Sequence, residues 1–426
     1  MNHLYQDAQK IIAAAIEAAL PDTAVKKALE EIDRMHGSPL GSDGKLVVIA
    51  AGKAAWQMAN VAAAALGDRI SGGVVVTKYD HVKGEIPGLV CFEAGHPVPD
   101  ENSFRGTAAA LETVSNLTEQ DAVLFLVSGG GSALFEKPLV PKEELESITG
   151  QLLASGADIR EINTVRKRIS AVKGGKFAQL CSPAHVYSVI LSDIIGDPLD
   201  MIASGPAYPD SSTCQQAKDI VRRYGIRIAA ETEALLDVET PKELNNVTTM
   251  VTGSVKQLCR AAAETAEALG YEPVILTAEL CCQAKEAGSF LGTIGRYHGQ
   301  AALAAAPDER KKLAFIAGGE TVVKLTGKGL GGRNQELALA AAPHIAGLGS
   351  TAVFSVGSDG TDGPTDAAGG YADGKTAALL LEKTGRTVEE VLADNDAYHA
   401  LQATGGLIVT GPTGTNVNDV AAVLIG

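Results

Sequence analysis

Apolar runs that ignore the two-residue alternation of a half-wet strand recur along this chain. The segments 45–51, 122–127 and 187–192 hold few or no polar residues, as strands buried on both faces do. Further strands are expected at 72–77, from 91, and at 248–252, 273–277, 312–317, 321–325, 351–356, 407–410 and 420–425. Between them the apolar spacing changes to three and four. That predicts helices over 1–20, 54–66, 161–180, 255–269, 284–306 and from 334 onward. A capped helix start is expected at Asp100 or Ser103. Strand–helix alternation in both halves implies two α/β domains, 1–240 and 241–426, with a linker and hinge at 237–246 and a cleft between them.

Composition narrows the class. The chain has 426 residues, 46% hydrophobic and 20% charged, which suits a folded protein with sizeable cores. Its 36 basic and 51 acidic side chains leave a formal charge of −15, which argues against broad nucleic-acid binding and makes any local cluster of cations informative. Six scattered cysteines without a Cys-x-x-Cys pair point to a reducing, cytoplasmic setting rather than a disulfide framework. The 1–20 segment carries Asp7, Lys10 and Glu17, unlike a secretory leader, and no apolar run is long enough to span a membrane.

Candidate chemistry sits at strand exits. After the 45–51 strand, Gly52-Lys53 meets a helix start but lacks the first glycine and the Ser/Thr of a P-loop. What remains is a lysine placed for a phosphate or carboxylate, or else a surface lysine. Ser128-Gly129-Gly130-Gly131-Ser132 follows the 122–127 strand. Leu134 stands where a dinucleotide fingerprint needs its last glycine, so the loop reads as a phosphate nest with two hydroxyls, or as a tight turn. Over 161–180 an apolar stripe of Ile162, Val165, Ile169 and Val172 lies beside Arg166, Lys167, Arg168, Lys173 and Lys176. Five cations so close together suggest a face for polyanionic phosphate; a solvated helix face fits the pattern as well.

Asp193 and Asp197 follow the 187–192 strand and could hold Mg²⁺ or assist a hydroxyl proton, or form turns and caps. Asp359, Asp362 and Asp366 crowd another exit and suggest a second cation or substrate site. His96, in a Pro-stiffened turn, could titrate or bind a metal, or serve as a structural hydrogen-bonding group. The 317–337 stretch brings Gly318-Gly319-Glu320, a loop with four glycines in 327–332, Arg333 and a helix opening on Asn334-Gln335-Glu336. Free amides and the positive helix end there would make an anion pocket, with Arg333 adding a bidentate fork. The alternative is a glycine-rich hairpin with a surface arginine.

Together these blocks resemble the glycerate 2-kinase family. The match is carried by Gly52-Lys53, Gly95-His96-Pro97-Val98-Pro99-Asp100, Ser128–Ser132, Asn163-Thr164-Val165-Arg166-Lys167 and Ser192–Asp197. It continues through Gly318–Thr321, Gly331–Glu336, Ser358–Pro364 and the 411–419 segment near the end. The resemblance implies a Rossmann-like N-terminal parallel-sheet domain and a smaller C-terminal α/β domain called MOFRL. It implies phosphorylation of the 2-hydroxyl of D-glycerate by ATP with a divalent cation, taken as Mg²⁺. The family's active-site lysine and arginine fall on Lys53 and Arg333, with Asp193 as a third catalytic candidate. Ser128 to Ser132, Arg166, Lys173, Glu320, Asn334 and Glu336 are expected around substrate and phosphate, and Asp197, Asp359 and Asp362 around metal. Some relatives are called hydroxypyruvate reductases. The competing readings are therefore an NAD(P)H-dependent reductase and a non-catalytic sensor of phosphorylated acids. The oligomeric state is left open, a homodimer being one arrangement.

Overall fold

In the computed structural model, residues 3–36, 44–306 and 309–426 are described. They form two compact units. One comprises the described residues of Ala24–Ser192 and Asp197–Thr252; the other comprises those up to Thr23, Asp193–Gly196 and Gly253–Gly426.

The first unit is built on β1 (Leu46–Ala51), β2 (Ile70–Lys78), β3 (Leu89–Ala94), β4 (Ala122–Val127), β5 (His185–Leu191) and β6 (Val247–Gly253). They lie in the order β3-β2-β1-β4-β5-β6, and β1 to β5 pair in parallel. Both faces of β1 and β4 are buried throughout, which explains their unbroken apolar runs. Val47, Ile49, Ala51, Val74, Val76, Val123, Phe125 and Val127 share one core with Ala110 and Val114. The chain runs from β1 outward to β3, then returns past β1 to β4. Right-handed crossovers place the two connecting helices, Ala55–Leu66 and Glu101–Thr113, on opposite faces. The second of these starts on the expected capping box, with Asp100 accepting from the Ser103 amide. The reversal between β1 and β4 opens the carboxyl ends of those strands to a ligand.

The second unit carries β7 (Glu272–Leu280), β8 (Leu313–Gly319), β9 (Thr351–Gly357), β10 (Gly369–Asp373), β11 (Leu407–Ile408) and β12 (Asp419–Ile425). Their order is β11-β10-β9-β12-β8-β7. Here β12 runs antiparallel between β8 and β9, so the exits of both neighbours meet its first residue. Asp419 pairs with Gly319 on one side and Gly357 on the other.

Several expectations are corrected. The 248–252 strand does not open the second unit but closes the first sheet as β6. The expected linker is pinned there: Val186 donates to the Asn246 carbonyl, and the Asn246 amide donates to the Ala178 and Ala184 carbonyls. Thr240 and Pro241 are tied to Asp210 in the same way, so the 237–246 segment lies inside the first unit rather than at its boundary. At the other end of the chain, helix His3–Ala18 packs with the second unit, where the Tyr271 hydroxyl donates to Asp7 at 2.9 Å. The 321–325 segment is no strand; Thr326, Gly327 and the residues after them turn to other partners, described below. The helix expected over 161–180 breaks into Ile159–Arg168 and Lys176–Cys181, with Gly174 and Gly175 at φ 61° and 83° between them.

Candidate active site

At the β1–β4 reversal, Gly52 and Lys53 are locked to the loop after β4. The Lys53 amide donates to the Gly129 carbonyl at 2.8 Å, and the Ala54 amide donates to the Ser128 hydroxyl at 3.0 Å. The Lys53 carbonyl in turn accepts from the Thr77 hydroxyl and lies 2.8 Å from Nδ1 of His81. Its backbone is thus held on three sides, while its half-buried ammonium has no partner among the described residues. The amides of Gly129 and Gly130 are likewise unclaimed by protein among the described residues. Gly130 sits at φ 85°, and a Cβ there would lie 2.9 Å from Cδ2 of His96 and 3.2 Å from Cγ of Lys53. The lysine stem and the histidine ring thus both lie against Gly130 of the open loop, which places His96 at the site.

The remaining cations of the first unit have a different use. Lys167, Arg168 and Lys173 are at most 2% exposed, so neither a phosphate-facing surface nor a solvated face exists. Lys167 pairs with Asp210 at 3.0 Å, and Arg168 donates to Thr240 and to the Ser212 carbonyl. Lys176 donates to the Lys167 and Ser170 carbonyls. Buried charges persist only when paired in this way. Arg166 and Lys173, expected on substrate phosphate, instead reach the back of the loop and donate to the Ser132 carbonyl. Proton accounting settles the Ser132 hydroxyl. Ser204 donates to Asn163, so Ser132 donates to Ser204 across 2.9 Å while accepting from Arg166. That hydroxyl faces inward and is no donor to a ligand. Ala203 and Ser204, at φ 50° and 62°, hold this contact in a strained conformation.

In the second unit the exits of β8 and β9 and the start of β12 gather a second set. Arg333 grips Asp419 with two bonds, 2.6 and 3.0 Å, and lies 3.3 Å from Glu320. Burial works against the guanidinium's charge, but the Asp419 bonds and charge, followed by Glu320, hold it above its ordinary value. The fit around Gly357 is close: a Cβ there would lie 3.1 Å from the Thr361 carbonyl, 3.3 Å from Asp359 and 3.4 Å from Asp419.

The expected anion pocket at this helix start is filled from within. Asp362 accepts from the Asn334 and Gln335 amides at 3.1 and 2.8 Å, capping helix Arg333–Ile345 with a carboxylate. The amides of the first part of the glycine loop are also taken, while those of Gly331 and Gly332 have no acceptor among the described residues. Thr326 and Gly327 donate to Asn395, Lys328 and Gly329 to Asp394, and Leu330 to Asp396. Asn334 and Glu336 are at most 4% exposed and bond inward, Asn334 to Ser355 and Asp362, Glu336 to Asn395. Their side chains are thus held by the fold around the helix start. Asp193 falls within the second unit and Asp197 within the first. No group of three or more His, Cys, Asp or Glu able to hold a metal occurs among the described residues.

Asp362 yields a pH prediction. Burial pushes its carboxyl up from 3.8 to about 6, against the lowering effect of the Gln335 and Asn334 amides. Between those pH values the native state holds a proton that the unfolded chain has released. The associated stability is therefore complete below about pH 4 and lost as pH rises through about 6, by about 3 kcal/mol. In urea titrations from pH 4 to 7, the stability of the wild type relative to Asp362→Asn should fall by that order. A constant difference would show the carboxyl to be unperturbed.

Comparison with known proteins accords with both sets. A profile described as a domain of unknown function (DUF4147) matches residues 7–237, and the MOFRL family profile matches 313–419. A D-glycerate 2-kinase of Thermotoga maritima is 48% identical over 98% of this chain and 97% of its own length. The chain belongs to the glycerate 2-kinase family. A glycerate 2-kinase of Pyrococcus horikoshii is 42% identical over 98% of this chain and 96% of its own. A crystal structure of a glycerate kinase from Thermotoga maritima superposes with a TM-score of 0.91 at 47% identity, covering all of both chains. Of the glycerate 2-kinase family's two profiles, the DUF4147 match takes in Lys53, Ser128–Ser132 and Arg166, and the MOFRL match takes in Arg333, Asp362 and Asp419.

Proposed function

We propose that the protein transfers the γ-phosphoryl group of ATP to the 2-hydroxyl of D-glycerate, with Mg²⁺, in the cytoplasm. The observation that carries this reading is the unpartnered Lys53 ammonium beside the two unclaimed glycine amides at the β1–β4 reversal. Phosphoryl transfer asks the protein for positioning and charge neutralisation more than for covalent chemistry. Lys53 supplies a mobile charge on a fixed backbone, and the Gly129 and Gly130 amides supply donors with an anion's geometry. The strand order β3-β2-β1-β4-β5-β6 matches that of Rossmann-type nucleotide-binding sheets and supports a phosphate at this point.

In the second unit Arg333 is the charge offered to an anionic group. Its Nη1 lies on an exposed carboxylate, Glu320, that a phosphate or glycerate carboxylate could displace. Mg²⁺ keeps waters and phosphate oxygens and needs only one or two carboxylates, so the lack of a preformed acidic cage suits it. Asp359 fits best, because one of its oxygens accepts from the Thr361 amide and the other has no protein partner among the described residues. Asp362 fits poorly, with both oxygens on the helix start. When bound, the ion would neutralise charge on the phosphate oxygens.

A reductase finds less support. Leu134, at the position where a dinucleotide loop needs glycine, is fully buried in the first core. The six described cysteines are unpaired thiols, in keeping with a reducing compartment. The deciding experiment is NMR identification of the product formed from D-glycerate, ATP and Mg²⁺. The 2-phospho isomer with stoichiometric ADP is expected; the 3-phospho isomer or no ADP would overturn the assignment.

A further inference from the structure

Behind the Ser128–Ser132 loop lies a sealed group of three charges. Glu136 and Lys173 are both 0% exposed, and Glu136 Oε2 is 3.3 Å from Lys173 Nζ and 3.3 Å from Arg166 Nη2. The other Glu136 oxygen accepts from Ser170 at 2.5 Å. Both cations then converge on a single acceptor, the Ser132 carbonyl, at 2.7 Å from Lys173 and 3.1 Å from Arg166. Both lone pairs of that carbonyl are thereby taken by cationic donors. Two charged donors, themselves held by one buried carboxylate, fix the direction of the peptide.

Keeping Lys173 charged there is costly. Burial lowers its pKa to about 8, with Arg166 adding repulsion and Glu136 opposing both. Apolar side chains of similar volume in place of the whole charged group would serve the fold as well or better. The next residues already anchor the loop's far end without charge: Phe135 packs edge-on to Phe177, 5.2 Å between centroids, and lies 5.5 Å from Phe125. Stability alone therefore does not account for the cluster.

We propose that Glu136 and Lys173 are positioning residues for the loop: by clamping the Ser132 carbonyl they keep the Gly129 and Gly130 amides turned toward the substrate's anionic group. The proposal rests on the reading of that loop as a phosphate site. Neither residue touches substrate, so their removal should weaken binding of whichever substrate lies on the loop and leave the other unaffected.

The test uses the full chain with Lys173→Met and, separately, Glu136→Gln. Trp56 is the sole tryptophan, three residues beyond Lys53, and its emission follows ATP or D-glycerate binding without turnover. In Lys173→Met, Kd and KM for one of the two substrates should rise by about tenfold or more, as small displacements of an anion site do. The other substrate's KM should stay within about twofold and kcat nearly unchanged, even though the unfolding midpoint falls because Glu136 is left with Arg166 as its cation. Glu136→Gln should move the same KM while lowering the midpoint, since two buried cations lose their anion. Unchanged constants for both substrates in folded Lys173→Met would overturn the proposal. So would failure of that variant to fold, or a uniform loss that tracks a falling midpoint. A wild type that forms no ADP and shows no change in emission would instead remove the reading of the loop itself.

Discussion

Replacing Lys53 by alanine is expected to lower kcat/KM for glycerate phosphorylation by about a thousandfold, or about 4 kcal/mol of transition-state stabilisation. The expected size follows from what the side chain does not do. Its ammonium has no partner among the described residues, so nothing in the fold depends on it, and its whole charge is available to a transferring phosphoryl group. The backbone bonds to Gly129, Thr77 and His81 survive the substitution. Circular dichroism and the unfolding midpoint should therefore match the wild type. Steady-state kinetics with both substrates varied would check the loss; a folded Lys53→Ala enzyme within tenfold of the wild type would remove Lys53 from the chemistry.

The same contrast explains how much was legible in the sequence. Strands β1, β4 and β5 were readable because burial on both faces leaves a nearly unbroken apolar run, which needs no tertiary knowledge to recognise. The Gly52-Lys53 exit and the Ser128–Ser132 loop were readable for the same reason, since they directly follow such runs. Charged residues carried no such mark. Arg166, Lys167, Arg168 and Lys173 look like a wet cationic face until their acceptors are known. Those acceptors, Glu136, Asp210, Ser212 and Thr240, lie between 30 and 72 positions away along the chain. Local spacing cannot report a pairing at that separation.

The glycine-rich loop before Arg333 was only partly legible for a related reason. Its amides and the helix start behind it looked vacant in sequence, yet Asp394, Asn395 and Asp396 take those of 326–330 and Asp362 takes those of Asn334 and Gln335. Gly331 and Gly332 are left without an acceptor among the described residues. The helix dipole was read with the right sign and the wrong anion, because the protein's own carboxylate arrives first. A strand mattered as well. Asp419 was visible only as the end of a motif, and β12 pairing between β8 and β9 is what brings it to Arg333.

That last contact sets the second large expectation. Arg333→Ala should reduce turnover by about a hundredfold or more through loss of the charge facing the substrate. It should also cost about 1–2 kcal/mol of stability. Breaking a buried pair costs more, but with Arg333 34% exposed water screens part of the Asp419 charge left behind. The two effects are separable. Adding Asp419→Asn removes the stranded carboxylate, so the double variant should recover much of the stability and none of the turnover. Arg333→Lys should fail to rescue the enzyme, because a point charge cannot span both Asp419 oxygens and still reach toward Glu320. Chemical denaturation and kinetics on the four proteins would decide the matter. Turnover that returned along with stability would mean that Arg333 acts only by holding Asp419, and that the charge presented to the substrate comes from elsewhere.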